Sequence, residues 1–100
     1  MLTKGRVLVV QLGRFDARGG RKRKTNIFVE EVISINGIAF RLSSVIHHIG
    51  SSIHSGHYVT HSLQADGAWV VCDDGAVGPS SLAAARETTP ESQPYVLVYK

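Results

Sequence analysis

Apolar and β-branched residues recur along this chain in short alternating runs, a spacing typical of half-buried β-strands rather than helices. Turn signals between the runs, such as Asn36-Gly37, favour antiparallel pairing. Residues 79–87 combine alanines with a serine cap at Ser80 or Ser81 and predict a short helix. The sequence therefore predicts an α+β fold, a mainly antiparallel sheet of about six strands with one short helix. The predicted strands are 6–12, 27–35, 39–48, 57–63, 68–73 and 95–99.

Two segments interrupt the strand pattern and are predicted to be exposed loops. Residues 17–24 contain Gly19-Gly20 and a basic cluster that holds five of the eleven cations of the chain. We expect this cluster to be a solvated loop rather than a nucleic-acid site, because no aromatic residues are interleaved with it. Residues 50–56 are polar, with a glycine at each end. The five cations of the cluster are Arg18, Arg21, Lys22, Arg23 and Lys24.

Size and composition limit the classes of protein that fit this chain. One hundred residues with 43% hydrophobic content suit one small domain with a packed core. The apolar runs are only a few residues long, so we expect no membrane span. The single cysteine, Cys72, excludes an internal disulfide and a zinc site built from several cysteines. These features favour a reducing, intracellular compartment.

The chemistry of the chain is concentrated in one predicted hairpin. His57 begins one strand, and Asp73-Asp74 ends the next. A histidine base and the carboxylate that orients it are two members of a nucleophilic triad. A loop over residues 64–66 would place His57 directly opposite Asp73. A tighter turn at Asp66-Gly67 would instead move Asp74 onto the face of His57, because a one-residue slip exchanges the two faces. The residues alone do not decide whether Asp73 or Asp74 contacts His57.

A metal site is the competing interpretation of the five histidines between positions 47 and 61. His57 and His61 lie four residues apart, which on a strand separates them by about 13 Å. His54 and His57 could chelate an ion across a loop. We expect neither a metal nor another cofactor.

Five segments, in order and spread over nearly the whole chain, resemble the ubiquitin-specific protease family. They resemble its leucine-x-arginine-phenylalanine strand, the strand leading into its histidine box, the box itself, the segment of the third triad member and the terminal strand. This resemblance implies a papain-like cysteine protease fold in which these strands form the C-terminal part of the palm sheet. The five segments are, respectively, residues 7–15, 40–50, 55–58, 69–77 and 95–99.

The resemblance also implies roles for individual residues. His57 matches the general base. Asp73, four residues after Trp69, matches the orienting acid, so the resemblance selects the first register. It further implies a narrow channel for the diglycine tail of ubiquitin beside the histidine. The residues implied to line or neighbour that channel are His48, Gly50, Gly56, Tyr58 and Asp74.

No residue of the chain matches the cysteine nucleophile of the family. Cys72 is next to Asp73 on a strand, so its side chain should point to the opposite sheet face. Residues 1–100 are therefore expected to be the C-terminal portion of a deubiquitinase catalytic domain, inactive alone. Its expected partners are ubiquitin or ubiquitinated proteins and a separate N-terminal half that carries the cysteine. The alternative is a non-catalytic module, a pseudoenzyme remnant that binds ubiquitin or another protein.

Overall fold

A computed structural model describes residues 6–14, 22, 26–52 and 55–100, with the backbone alone at 51, 52 and 55. These residues form seven strands and one short helix, which confirms the predicted fold class. The elements in chain order are β1 (Leu8–Gln11), β2 (Val32–Ile35), β3 (Ile38–Ser52), β4 (Ser55–Leu63), β5 (Trp69–Asp73), β6 (Ala76–Pro79), α1 (Leu82–Arg86) and β7 (Ser92–Tyr99).

All strand pairs are antiparallel, in the order β1-β7-β3-β4-β5-β6, with β2 paired to β3 beside this path. The 15-residue strand β3 organises the sheet. Its first residues pair with β2, and its later residues pair with β4 on one side and β7 on the other. The long strand therefore connects the segment that carries His57 to the C-terminal strand.

Strand β6 was not predicted from the sequence. It is four residues long, and half of it is Gly78 and Pro79, which weaken any strand pattern. It follows β5 through a tight turn at Asp74 and Gly75, whose φ angles are 48° and 85°. The predicted turn at Asn36-Gly37 is confirmed and has the same form, with φ angles of 52° and 78°. Positive φ at both central residues is the type I′ geometry that suits the twist of a hairpin.

Several other predicted boundaries also differ from the structure. Within the predicted strand 27–35, only Val32–Ile35 pairs as a strand. The predicted loop 50–56 is wrong at both ends, because Gly50 lies in β3 and Gly56 lies in β4. The alternation is difficult to follow there because the β3–β4 register shifts between Ile49 and Ser52.

Helix α1 covers one side of the sheet, here called the helix face. The Oγ of Ser81 caps the helix by accepting a hydrogen bond from the Ala84 backbone N–H at 3.0 Å. Ala85 is completely buried, and its carbonyl oxygen accepts a hydrogen bond from the His47 ring on β3. The opposite side, called the open face, is covered by no helix of the described residues. The buried apolar cluster on the helix face consists of Val29, Leu42, Val45, Ala85, Leu97 and Tyr99.

One cation of the basic cluster departs from its predicted exposure. Lys22 is only 6% exposed, and its Nζ donates a hydrogen bond to the His48 carbonyl oxygen at 2.6 Å. The exposed-loop prediction is therefore wrong at Lys22. The other members, Arg18, Arg21, Arg23 and Lys24, lie outside the described residues. Among the residues that the structure describes, no helix has the length and apolar character needed to cross a membrane.

Candidate functional site

The β4–β5 register decides which side chains meet, and neither predicted register is present. The hairpin loop spans residues 64–68, and Asp66 Oδ1 accepts a hydrogen bond from the Ala68 N–H at 3.0 Å within it. Backbone hydrogen bonds from the Gln64 N–H to the Ala68 carbonyl and from the Gly67 N–H to the Gln64 carbonyl close this loop, with Gly67 at a φ of 88°. The loop is longer than expected, and the pairing is shifted two residues from the first predicted register. An even shift keeps each residue on its face, so His57 and Asp73 still share the helix face. The observed pairs are Thr60 with Cys72, His61 with Val71, Ser62 with Val70 and Leu63 with Trp69.

His57 and Asp73 form a direct hydrogen bond despite this shift. The distance between His57 Nε2 and Asp73 Oδ1 is 2.5 Å, and the two side chains are 39% and 53% exposed. A second carboxylate approaches the other ring nitrogen, with Asp74 Oδ2 3.8 Å from His57 Nδ1. The Asp74 side chain is 84% exposed. The sequence did not decide which aspartate contacts His57. In the structure Asp73 makes the hydrogen bond, and Asp74 lies at a longer distance.

The two carboxylates favour the protonated form of the imidazole. The hydrogen bond to Asp73 is the largest cause of a raised pKa of His57, and the charges of Asp73 and Asp74 add to it. A carboxylate only accepts, so Nε2 carries the hydrogen that is donated to Asp73. The neutral ring then presents the lone pair of Nδ1. This arrangement can take a proton at Nδ1 and stabilise the resulting imidazolium through Asp73.

The other predicted site residues near His57 lie on the open face. His48 on β3 is completely buried and pairs with Tyr58 across the β3–β4 ladder. A Cβ built on Gly56 would lie 2.0 Å from His48 Nε2, so the ring occupies the space above this glycine. Gly50 lies in β3 within the register shift and has a φ of 127°, a value that L side chains rarely adopt. The predicted residues therefore form two groups on opposite faces of β4.

Cys72 lies on the open face, as the sequence predicted, because it pairs with Thr60 rather than with the helix-face residues. It is partly buried. His57 points to the other face, so the β5 backbone separates the cysteine sulfur from the imidazole. Nothing in this geometry makes Cys72 a nucleophile for that base.

The site also has donors that suit a cation. His57, Asp73 and Asp74 each offer one ligand atom, and these atoms lie within 4.8 Å of one another. Two ligands at about 2 Å from one zinc ion cannot be more than about 4 Å apart, so the three groups would have to move closer together for all of them to bind. His54, the other residue considered for a metal, lies outside the described residues.

Two further histidines, the buried His47 and the partly buried His61, form a polar network that sequence reasoning missed. His47 Nε2 donates to the Ala85 carbonyl oxygen at 2.7 Å, and its Nδ1 accepts from the Ser92 hydroxyl at 2.9 Å. His61 Nδ1 shares a 2.6 Å hydrogen bond with Ser80, and the two rings lie 4.8 Å apart. Burial is the main cause of a lowered pKa of both histidines. Strand alternation places His61 on the face of His57, which was the available signal, whereas the place of His47 depends on the β3–β4 pairing.

Comparison with known proteins gives a consistent result. The family model described as ubiquitin carboxyl-terminal hydrolase matches residues 5–99. The human protein "Ubiquitin carboxyl-terminal hydrolase 17-like protein 12" is 30% identical over 108 aligned residues, which cover 99% of this chain and 20% of the relative. "Ubiquitin carboxyl-terminal hydrolase 10" of Saccharomyces cerevisiae is 36% identical over 62 residues, or 62% of this chain and 7% of that protein.

Solved structures agree in fold. A SAGA DUB module of Ubp8, Sgf11, Sus1 and Sgf73 bound to monoubiquitin matches with a TM-score of 0.78 at 25% identity, over 94% of this chain and 23% of that chain. A yeast SAGA DUB module with an Sgf73 variant matches with a TM-score of 0.79 and the same coverage. The chain spans about a fifth of the length of the human relative. Together with the family model, these matches show that the chain belongs to the ubiquitin carboxyl-terminal hydrolase family, as part of a catalytic domain of the ubiquitin-specific protease type.

Proposed function

We propose that this chain supplies the general base and the orienting acid of a cysteine-type deubiquitinase. His57 is the base, Asp73 is the acid, and the nucleophilic cysteine comes from polypeptide outside these 100 residues. The observation that carries the proposal is the 2.5 Å hydrogen bond from His57 Nε2 to Asp73 Oδ1. It commits one ring nitrogen to the acid and leaves Nδ1 for a thiol.

The proposed chemistry uses Nδ1 for every proton transfer. It accepts the proton of the cysteine thiol, and the imidazolium is held by Asp73 while the thiolate attacks the carbonyl carbon. When the tetrahedral intermediate collapses, Nδ1–H protonates the leaving amine and a thioester remains. In the second half-reaction, Nδ1 takes a proton from a water molecule that attacks the thioester carbonyl, and Nδ1–H then returns this proton to the departing cysteine sulfur, which restores the thiol. Each half-reaction returns His57 to the neutral form with its hydrogen on Nε2.

Ubiquitin is the proposed substrate protein. The relatives are named ubiquitin carboxyl-terminal hydrolases, and one structural neighbour was solved with monoubiquitin. The bond that we propose is cleaved is the isopeptide or peptide bond after the ubiquitin C-terminus. The chain by itself should not hydrolyse it, because its one cysteine, Cys72, lies on the sheet face away from His57.

A chimera tests the proposal. In the human 17-like protein 12, the matched region is replaced by this chain, and release of a fluorophore from the ubiquitin C-terminus is measured. Correct folding is checked by near-ultraviolet circular dichroism. We expect hydrolysis that His57→Ala abolishes and that Asp73→Asn reduces by about 10²–10⁴-fold. Asp66→Asn is the matched control, because an amide oxygen can still accept the Ala68 N–H. Hydrolysis that survives His57→Ala contradicts the proposal.

The alternative function is a non-catalytic module that binds ubiquitin. It is favoured by one observation, the absence of a nucleophile aligned with His57 among the described residues together with a single cysteine in the whole sequence. Chemical-shift changes of the ¹⁵N-labelled chain on titration with ubiquitin test it. Binding by the chain, combined with a folded but inactive chimera, would support the alternative over catalysis.

A further inference from the structure

His48 occupies an unusual place relative to the base. It is completely buried on β3 and lies on the open face, whereas His57 lies on the helix face of β4. Its ring contacts the residues on both sides of His57. Above Gly56 it fills the position of a missing Cβ, and with Tyr58 it makes an edge-on ring contact with centroids 5.0 Å apart.

The contact with Gly56 leaves no room for any other residue. A Cβ at this position would lie 2.0 Å from His48 Nε2, 2.7 Å from Cε1 and 3.0 Å from Cδ2. Real Cβ atoms essentially never approach heavy atoms so closely, so either the ring or the strand would have to move. The neighbouring structure restrains the ring, since its cross-strand partner Tyr58 and Tyr95 both pack against it. Gly56 is therefore required by His48, apart from any need of a substrate.

The backbone of His48 is also held in place. Its carbonyl oxygen accepts a hydrogen bond from the buried Lys22, and its residue pairs with Tyr58 on one side and Gln93 on the other. Burial, followed by the charge of Lys22, lowers the pKa of His48, which favours the neutral ring. A neutral ring in a fixed position can pack against the β4 backbone as an apolar group does.

We propose that His48 is a positioning residue for the catalytic base. Because successive side chains of a strand point to opposite faces, the backbone at residues 56–58 sets the direction of the His57 ring. His48 packs against both ends of that segment from the open face and so holds the His57 ring toward Asp73 on the helix face. It acts through Gly56 and Tyr58 and does not touch the reacting atoms. The catalytic role of His48 rests on the proposed function. The packing of His48 against Gly56 and Tyr58 is independent of it.

A double-mutant cycle on the 100-residue chain tests the contact. The readout is the pKa of the His57 ring from an NMR titration, recorded with the thermal midpoint. We expect Gly56→Ala to lower the His57 pKa toward the ordinary 6.5, because the added methyl group displaces the segment from its place opposite Asp73. We expect His48→Ala to lower it as well. In the double variant the methyl group added by Gly56→Ala fills part of the space vacated by the ring, so the pKa returns part of the way.

The matched control is Gly78→Ala, a strand glycine whose added Cβ would have no heavy atom within 4 Å. It should leave the His57 pKa unchanged. If Gly56→Ala leaves the His57 titration unchanged, or if the two effects simply add in the double variant, the positioning role is wrong. Non-additive pKa changes that recover in the double variant support it.

The chimera provides the catalytic readout. We expect His48→Ala to lower kcat by about 10-fold or more while KM stays within about twofold, because a misdirected base slows chemistry more than binding. These experiments distinguish failure of the proposed catalytic function from failure of the positioning role of His48. If the chimera is inactive but the NMR cycle behaves as expected, the packing role stands and the catalytic function does not. If the chimera is active and His48→Ala leaves kcat intact, only the positioning role is wrong.

Discussion

His57 lies between two carboxylates that act on different ring nitrogens. Asp73 is 2.5 Å from Nε2, and Asp74 is 3.8 Å from Nδ1. The shorter contact is a hydrogen bond, whereas the longer one is an interaction of charges across solvent. Asp73 can therefore fix both the tautomer and the ring orientation, while Asp74 contributes only to the local negative potential.

This difference predicts unequal effects on the pKa of His57. Asp73→Asn should lower it markedly toward 6.5, because the main cause of the raised pKa is removed. Asp74→Asn should lower it by less, since that residue contributes through charge alone and is 84% exposed. An NMR titration of the His57 ring measures both, with Asp66→Asn as the unchanged control. A larger effect of Asp74→Asn would reverse the assignment of the acid.

The cysteine gives a second prediction for a single residue. Cys72→Ala should leave hydrolysis by the chimera within about twofold of the unsubstituted chain. The reason is geometric, because Cys72 pairs with Thr60 on the open face and cannot present its sulfur to Nδ1. Loss of activity comparable to that of His57→Ala, in a variant that remains folded, would show that Cys72 takes part in the reaction.

At the residue level, the sequence predicted which faces carry the chemistry but not every contact. Strand alternation places His57 and Cys72 on opposite faces, and the structure agrees. The choice between Asp73 and Asp74 depended on the length of one loop, whose turn combines Gly67 at positive φ with backbone hydrogen bonds and a hydrogen bond to the Asp66 side chain. The packing of His48 on Gly56 could not be predicted, because it requires the exact β3–β4 pairing.

The β2–β3 and β5–β6 turns have the same geometry but lie at different distances from His57. Gly37 ends the β2–β3 turn, far from the base, and Gly75 ends the β5–β6 turn directly after Asp73 and Asp74. Both glycines have positive φ, and a Cβ on either would meet no heavy atom within 4 Å. Any cost of a substitution is therefore backbone strain rather than a clash.

Gly37→Ala and Gly75→Ala should each lower the free energy of unfolding by about 1–2 kcal/mol, the usual cost of left-handed backbone for an L-residue. Only Gly75→Ala should also change the pKa of His57, because its turn positions the two carboxylates. Urea denaturation and the NMR titration measure the two effects separately. An equal effect of both variants on the His57 pKa would mean that the turn does not position the acid.

The elements that the sequence predicted are those with alternating or β-branched apolar runs, and the helix with its alanines and serine cap. Strands β1, β2, β3, β4, β5 and β7 and helix α1 all correspond to predicted segments, with shifted ends. The missed strand, β6, has only Val77 as a β-branched residue, and its pairing with β5 depends on the turn before it. The full length of β3 was also missed, because the glycine and serines at its C-terminal end are typical of a loop.

For the molecule as a whole, buried and partly buried histidines contribute to the response to acid. His47, His48 and His61 have pKa values lowered mainly by burial, so the unfolded chain binds their protons more readily than the folded chain below pH 6.5. Arg14 and Lys22 lower the pKa of His47 further, while the bond to Ala85 and the charge of Glu87 oppose this. These histidines therefore favour the folded state fully above pH 6.5 and less as the pH falls.

The free energy of unfolding should therefore decrease between pH 7.5 and 5.5, a range in which carboxylates stay ionised. His57 acts in the opposite direction, because its raised pKa gives stability that is present below pH 6.5 and lost as the pH rises through the folded pKa. Removing it with His57→Gln should make the decrease on acidification steeper. Chemical denaturation at several pH values measures this. Stability that increases toward pH 5.5 in both proteins would contradict it.

We propose that His57, held by Asp73, activates a cysteine supplied from outside this chain. The pH dependence of alkylation of the catalytic cysteine in the chimera tests this proposal, in a Cys72→Ala background so that the Cys72 sulfur does not react. We expect the thiol to react as a thiolate at pH values well below the ordinary thiol pKa of about 8.5, and His57→Ala should shift the alkylation profile back toward that value. An alkylation profile that is unchanged by His57→Ala would contradict it.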